Sequence, residues 1–293
     1  ALQQDNMPET GKGVSGFVWM KVRDAVGSHH SNDSSNGVFN RLVPNSTNAL
    51  AFRDGSLSKF LKGGQAIGDN TAINNSGNSY VSWNWVANGG TTASNSDGDI
   101  SSTVQVNTTA GFSIVQYTGN GSSNQSIGHG LGVVPRWIMV KELSSTDSWN
   151  IWHGAFANTE KILLNSNGAK ITGSTAFGSY TPISTIFKVN GNNTNASSVT
   201  YVAYCWNEID GFSKFGSYTG NGNANGSFIY LGFKPALIII KCTSNGSTDW
   251  VMYDNKRHSN TGSSSNTLYP NLTSAEASAG GLDFLSNGFK LRS

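Results

Sequence analysis

GFSIVQYTGNG at residues 111–121 returns as GFSKFGSYTGNG at 211–222. VPRWIMVK, ending at Lys141, returns as KPALIIIK, ending at Lys241. STDSWNIWH (Ser145–His153) returns as STDWVMYD (Ser247–Asp254), one residue shorter around the Trp. A third, partial copy lies upstream. FVWMK ends at Lys21, 120 residues before Lys141, and SYVSWNW (Ser79–Trp85) matches TYVAYCW (Thr200–Trp206), with Trp85 and Trp206 121 residues apart. The repeated unit of about 100 residues is the size of a small β domain and too long for a solenoid period.

Within a unit, strand-sized runs are separated by Gly/Asn/Ser turns, and helical periodicity never extends beyond a turn or so. This pattern predicts an all-β fold of tandem antiparallel β-sandwiches, jelly-roll-like, each burying aromatic and β-branched residues between two sheets. The expected layout is a lead-in tail at 1–15, a partial first unit at 16–90 and a linker with strand-like content at 91–110. A second unit follows at 111–210 and a third at 211–293. Phe212–Tyr218 is expected as a strand, and TSAEASAG (273–280) leaves room for one helical turn. Unit two ends on the strand Tyr201–Trp206 after Phe187-Lys188-Val189. Unit three reaches the matching Phe289-Lys290-Leu291 and stops two residues later. Its closing strand is therefore expected either from further chain or from another subunit, because an open edge above an aromatic core is unstable.

Charged residues make up 12% of the chain, against a usual ~25%. Gly, Asn, Ser and Thr take their place, as in extracellular or virion β proteins. Aromatics at 11% argue against disorder. A net charge of +2 offers nothing for nucleic acid or an anionic membrane. Apolar runs such as ALIII at 236–240 are far short of the ~20 residues that insert into a bilayer. No signal peptide is visible at ALQQDNMPET. Cys205 and Cys242 occupy non-equivalent places in neighbouring units, so both are read as free, small core residues.

At YTGNG…IGHGLGVVPRWIMVK, YVAYCWNEIDGFSKFGSYTGNG and LDFLSNGFKLR, the sequence resembles a repeated β-rich module of marine bacteriophage tail-fibre-like and virion structural proteins. That module is often found beside SPRY or concanavalin-like sandwiches. The resemblance covers about residues 16–293 and brings no catalytic residues with it. It implies a virion structural protein, foremost a tail fibre or host-recognition component, assembled in the host cytoplasm and carried on the particle. Its partners would be copies of itself, as a homotrimer by analogy, other virion proteins and a host surface glycan or protein. A capsid decoration protein and a secreted bacterial glycan-binding protein are the alternatives.

No nucleophile elbow, phosphate loop or dinucleotide fingerprint occurs in strand–turn–helix context, and no carboxylate pair marks a glycosidase, so no enzyme, cofactor or metal is expected. The five histidines are scattered, with His29-His30 and Asp33 the best metal-like loop. Asn95, Asp97 and Asp99 offer oxygen ligands but read as an Asp-Gly turn. Gly128–Gly132 reads as a tight β connection. The ligand-binding candidates are Trp149, Trp152, Trp250 and Tyr253, on matching strands beside Ser/Thr/Asp loops. By alternation Trp149 and Ile151 face one way and Trp152 the other. One indole is therefore expected to leave the core, where it could pack against another subunit or stack on a sugar.

Overall fold

The computed structural model describes residues 16–61, 64–87, 92–258, 266–278 and 280–292. The expected lead-in tail at 1–15 lies outside them. The fold is nearly all β, in several antiparallel sheets.

Three strand pairs carry the architecture. In each, an apolar leading strand turns through a polar loop into a four-residue returning strand. The pairs are Gly16–Val22 with His30–Asp33, Trp137–Glu142 with Asn150–His153, and Leu237–Ile240 with Val251–Asp254. Their registers correspond: Phe17 lies opposite Asp33, Trp137 opposite His153, and Leu237 opposite Asp254. In the first two units a closing strand, Tyr80–Val86 or Thr200–Trp206, occupies the other edge of the leading strand. Phe17 there faces Trp85, and Trp137 faces Trp206. These pairings fall at the spacings of the repeated sequence. Gly16 is needed at the start of the first leading strand, because a Cβ there would stand 2.5 Å from the Trp85 carbonyl oxygen.

The leading strands read as continuous apolar runs because both their faces are covered. On one face, Trp19 and Trp83 of the first unit meet Met139 and Tyr204 of the second and Trp250 and Met252 of the third in a single shared core. On the opposite face each unit has a core of its own. Val18, Met20 and Leu57 belong to the first, Val140, Trp152 and Phe187 to the second, and Ile238, Leu282 and Phe289 to the third. The tandem units are therefore not beads on a string; they surround a common interior.

Backbone hydrogen bonds close the arrangement. Leu50 N–H of the first unit donates to the Leu143 carbonyl of the second, at 2.9 Å. Lys170 N–H of the second donates to Thr243 of the third, at 2.9 Å, and Glu276 N–H of the third donates back to Arg23 of the first, at 2.6 Å. Arg23 and Glu276 also form an ion pair at 2.8 Å, and Glu276 pairs with the buried Arg257 at 2.6 Å.

Four expectations need correction. The 91–110 span is not a linker: Ala93–Asn95 and Ser102–Asn107 are the last two strands of the second unit's seven-stranded sheet, beyond Phe112–Thr118. Phe212–Tyr218 forms no strand, because the closing strand that its counterpart Phe112–Thr118 pairs with has no equivalent among the described residues of unit three. The 273–280 segment holds no helix among its described residues. It runs extended, with Ala277–Ser278 paired to Asn266–Thr267 and Glu276 drawn into the contacts with Arg23 and Arg257. Both cysteines are free, but only Cys205 is a core residue; Cys242 is exposed.

Candidate functional site

All four aromatic candidates are buried. Trp149 is fully enclosed, and Trp152, Trp250 and Tyr253 are 3%, 2% and 6% exposed. The alternation is as expected: Trp149 enters the shared core and Trp152 the second unit's own core. The expected exposed indole is absent because both faces of that strand are covered. None of the four offers a ring to a sugar.

Two of them instead hold neighbouring units together. Trp149 Nε1–H donates to the Val43 carbonyl of the first unit at 3.0 Å, and Trp250 Nε1–H to the Leu163 carbonyl of the second at 3.0 Å. His29 stands at the same place in the first unit, and its Nε2 lies 3.0 Å from the Tyr269 carbonyl of the third. Trp19 Nε1–H donates to His29 Nδ1 at 2.8 Å, so Nε2 carries the proton and donates. The backbone N–H groups of His29, Trp149 and Trp250 donate to the side-chain oxygens of Asn45, Asn165 and Asn271 at 2.7, 2.9 and 2.9 Å. One structural role thus passes around the ring: second unit to first, third to second, first to third. Burial, reinforced by the Lys21 charge, pushes His29 down to about 3, which keeps the ring neutral and able to accept from Trp19.

A second ring of contacts runs through the ends of the returning strands. Asp33 Oδ1 accepts from the N–H groups of Ser35 and Asn36, while Oδ2 accepts from the Tyr204 hydroxyl of the second unit at 2.6 Å. Asp254 repeats this in the third unit. Its Oδ1 accepts from the N–H groups of Lys256 and Arg257, and its Oδ2 from Trp83 Nε1–H of the first unit at 3.2 Å. Tyr204 and Trp83 are matching residues of the two closing strands. The second unit has His153 at this place, and Nδ1 accepts from Ala155 N–H at 3.0 Å. His153 Nε2 has no partner among the described residues.

The third unit shows no strand at the closing-strand place among the described residues. Among the described residues, Leu237–Ile240 pairs only with Val251–Asp254. In the filled units, Arg23 N–H donates to Ser79 and Leu143 N–H to Thr200, at 2.8 and 2.9 Å, and Arg136 N–H donates to Trp206 at 2.6 Å. The corresponding Thr243 and Ala236 N–H groups have no acceptor among the described residues. Ile238, buried at 6%, is flanked by half-buried Ile239 and Ile240, whereas the matching Ile138, Met139 and Val140 are enclosed. Phe212, Tyr218, Phe228 and Tyr230 are exposed by 40% or more in the same unit.

The leading strands also end on matching lysines. The ammonium groups of Lys21, Lys141 and Lys241 each donate to the carbonyl of the next residue, at 2.6, 2.7 and 2.8 Å. Burial lowers Lys21 and Lys141 to about 8, against partial support from nearby carboxylates. Among the described residues no group of three His, Cys, Asp or Glu converges on a metal position. His30 lies against Arg41, and Asp33 is taken up as described, so the His29-His30-Asp33 loop presents no ligand set. Asp99 accepts from Ser126 N–H and Oγ, and Asn95 bonds Asp97, so those side chains pin a turn.

Sequence reasoning missed the polar seam. Its signal was present in the alignment of Asp33, His153 and Asp254, where the change from Asp to His reads as a lost residue rather than a changed acceptor. Fold and seam together define a nearly all-β protein whose several antiparallel sheets are joined around a shared core. The chain belongs to the family described as Domain of unknown function (DUF7483), whose model matches residues 5–293. No curated protein and no solved structure matches it.

Proposed function

We propose that this is a non-catalytic structural and adhesion protein of a phage particle, acting as a rigid β scaffold that presents loops to a host surface. One observation carries the reading: a set of buried ionisable groups is committed to joining units. His29, Asp33, Asp254, Glu276 and Arg257 all bond across unit boundaries or to residues that do. Such a network favours a single rigid arrangement, which suits a load-bearing or displayed part. The resemblance to tail-fibre-like modules supports placement on a virion, and sparse charge with many amides and hydroxyls suits a surface in constant contact with solvent. Exposed Phe52, on the short strand Ala51–Phe52 of the first unit, and Tyr180, in a loop of the second, offer apolar faces for weak contacts that several copies would multiply.

The test is location and attachment. Mass spectrometry of purified particles should find the chain in several copies per virion, and an antibody against it should decorate the particle and block adsorption to cells. A chain absent from washed particles would end the virion reading. A chain present, with adsorption untouched by the antibody, would remove the adhesive half.

A further inference from the structure

We propose that Lys161 and Asn150 of the second unit become joined by an isopeptide bond, from Lys161 Nζ to Asn150 Cγ, formed within the folded chain with release of ammonia. This goes beyond the virion reading and stands or falls without it.

The two side chains meet out of contact with water; both residues are buried. Lys161 Nζ lies 2.7 Å from Asn150 Oδ1 and 2.9 Å from Asn193 Oδ1. Its hydrogen-bond partners are thus two neutral amides, and it forms no ion pair among the described residues. Burial lowers the Lys161 ammonium below its ordinary value, against partial support from Asp147, so the neutral amine that can attack is within reach. Asn150 Nδ2 donates to the Ser148 carbonyl at 3.0 Å and to the Asn193 carbonyl at 3.4 Å. These bonds turn the amide oxygen toward the lysine, with Cγ one bond behind it. Amine and acyl carbon are therefore held together before reaction, which replaces a chance encounter by a fixed one.

The step balances without an added reagent. A bond forms between Lys161 Nζ and Asn150 Cγ, and the bond from Cγ to Nδ2 breaks. Two protons pass from the lysine ammonium to the departing nitrogen, which leaves as ammonium; nothing is oxidised or reduced. Asp147 is the proton carrier that the site offers. Its Oδ2 is buried, accepts no hydrogen bond among the described residues, and stands near enough to Lys161 to support its charge. The matching places in the other units lack this pair. By strand register His30 and Arg41 stand there in the first unit, and Val251 and Thr267 in the third. A guanidinium stays protonated and does not attack, and neither Val nor Thr brings an amine or an amide. The chain should therefore form one such bond and release one ammonia.

The test is intact mass and peptide mapping of the folded 293-residue chain, unfolded only for the measurement. The chain is expected to be lighter than its sequence by one ammonia. Trypsin, blocked at the substituted Lys161, should release residues 142–170 as a single peptide lacking that ammonia, with no backbone fragment ions between Asn150 and Lys161. Lys161→Arg and Asn150→Ala should each restore the full sequence mass, and Asp147→Asn should leave most chains unlinked. A wild-type chain of full mass, yielding a free peptide that ends at Lys161, overturns the proposal. So does an ammonia loss that persists in Lys161→Arg, which would place it at an asparagine elsewhere. Linking undiminished in Asp147→Asn overturns the role given to Asp147.

Discussion

The second and third units start from nearly the same sequence and end in different states. Trp137–Glu142 lies between a returning strand and a closing strand, with Ile138 and Val140 fully buried. Leu237–Ile240, 100 residues later, pairs only with its returning strand among the described residues, and two of its isoleucines are half-buried. The hairpin YTGNG survives in both copies, yet Phe112–Thr118 is a strand and the matching Phe212–Tyr218 is not. A strand sequence is thus insufficient by itself. Its backbone groups need a partner edge, and Phe212–Tyr218 finds none among the described residues.

That contrast can be broken by paired substitutions. Met139→Ala should cost about 2–5 kcal/mol, as for other enclosed core side chains, and the matching Ile239→Ala less than half as much. Urea unfolding of the two variants would show it, and equal losses would mean that the third unit is as well packed as the second. Acid exposes a difference at the first unit's junction. His29 and His30 are held neutral by burial, at about 3. The unfolded chain takes up protons near the ordinary 6.5 while the folded chain does not, so stability should fall from about pH 6.5 down to pH 3. Trp149 and Trp250, at the place of His29, cannot titrate. Stability against pH, with and without His29→Gln, checks this; a flat wild-type profile across that window would contradict it.

Tyr204→Phe should cost about 1.5–3 kcal/mol by leaving the buried Asp33 carboxylate short of a donor. His153→Phe should cost less, about 0.5–1 kcal/mol, because it loses only the bond that Nδ1 accepts from Ala155 N–H. Comparable losses in both would show that His153 is already engaged. The smallest expected difference concerns the lysines. Lys141 loses its proton near pH 8 when folded and near 10.5 when unfolded, so its contribution to stability should rise as pH climbs between those values. Lys141→Met should flatten that rise, on the order of 1–3 kcal/mol. Lys241→Met should matter less, since Lys241 is less buried and bonds Thr248 and Asn167 as well. Unfolding curves at a few pH values would separate the two.

Much of this was readable in advance. Two anchors with nearly one offset, Lys21 to Lys141 and Trp85 to Trp206, located the matching strand pairings of the first two units. Period-two alternation correctly sent Trp149 and Trp152 to opposite faces. It could not say what covers each face, and the expectation of an exposed indole failed there. Closure of the ring was illegible for a related reason. Its hydrogen bonds end on the carbonyls of Val43, Leu163 and Tyr269, and a carbonyl acceptor puts no constraint on the side chain that carries it. The 91–110 span was misjudged because turn residues such as Ser96-Asp97-Gly98-Asp99 dominate it, while its strands are held at the margin of a large sheet by neighbours distant in sequence.

Ring closure also sets a timetable for folding. Arg23 and Glu276 are 253 residues apart, so the contact that joins the last unit to the first has a very large loop-closure cost and must form late. At a synthesis rate of about 5–20 residues per second, the first unit waits tens of seconds on the ribosome with Phe17, Trp19, Trp83 and Trp85 facing a core that does not yet exist. A nascent chain of this design needs something to shield those rings until its own third unit arrives.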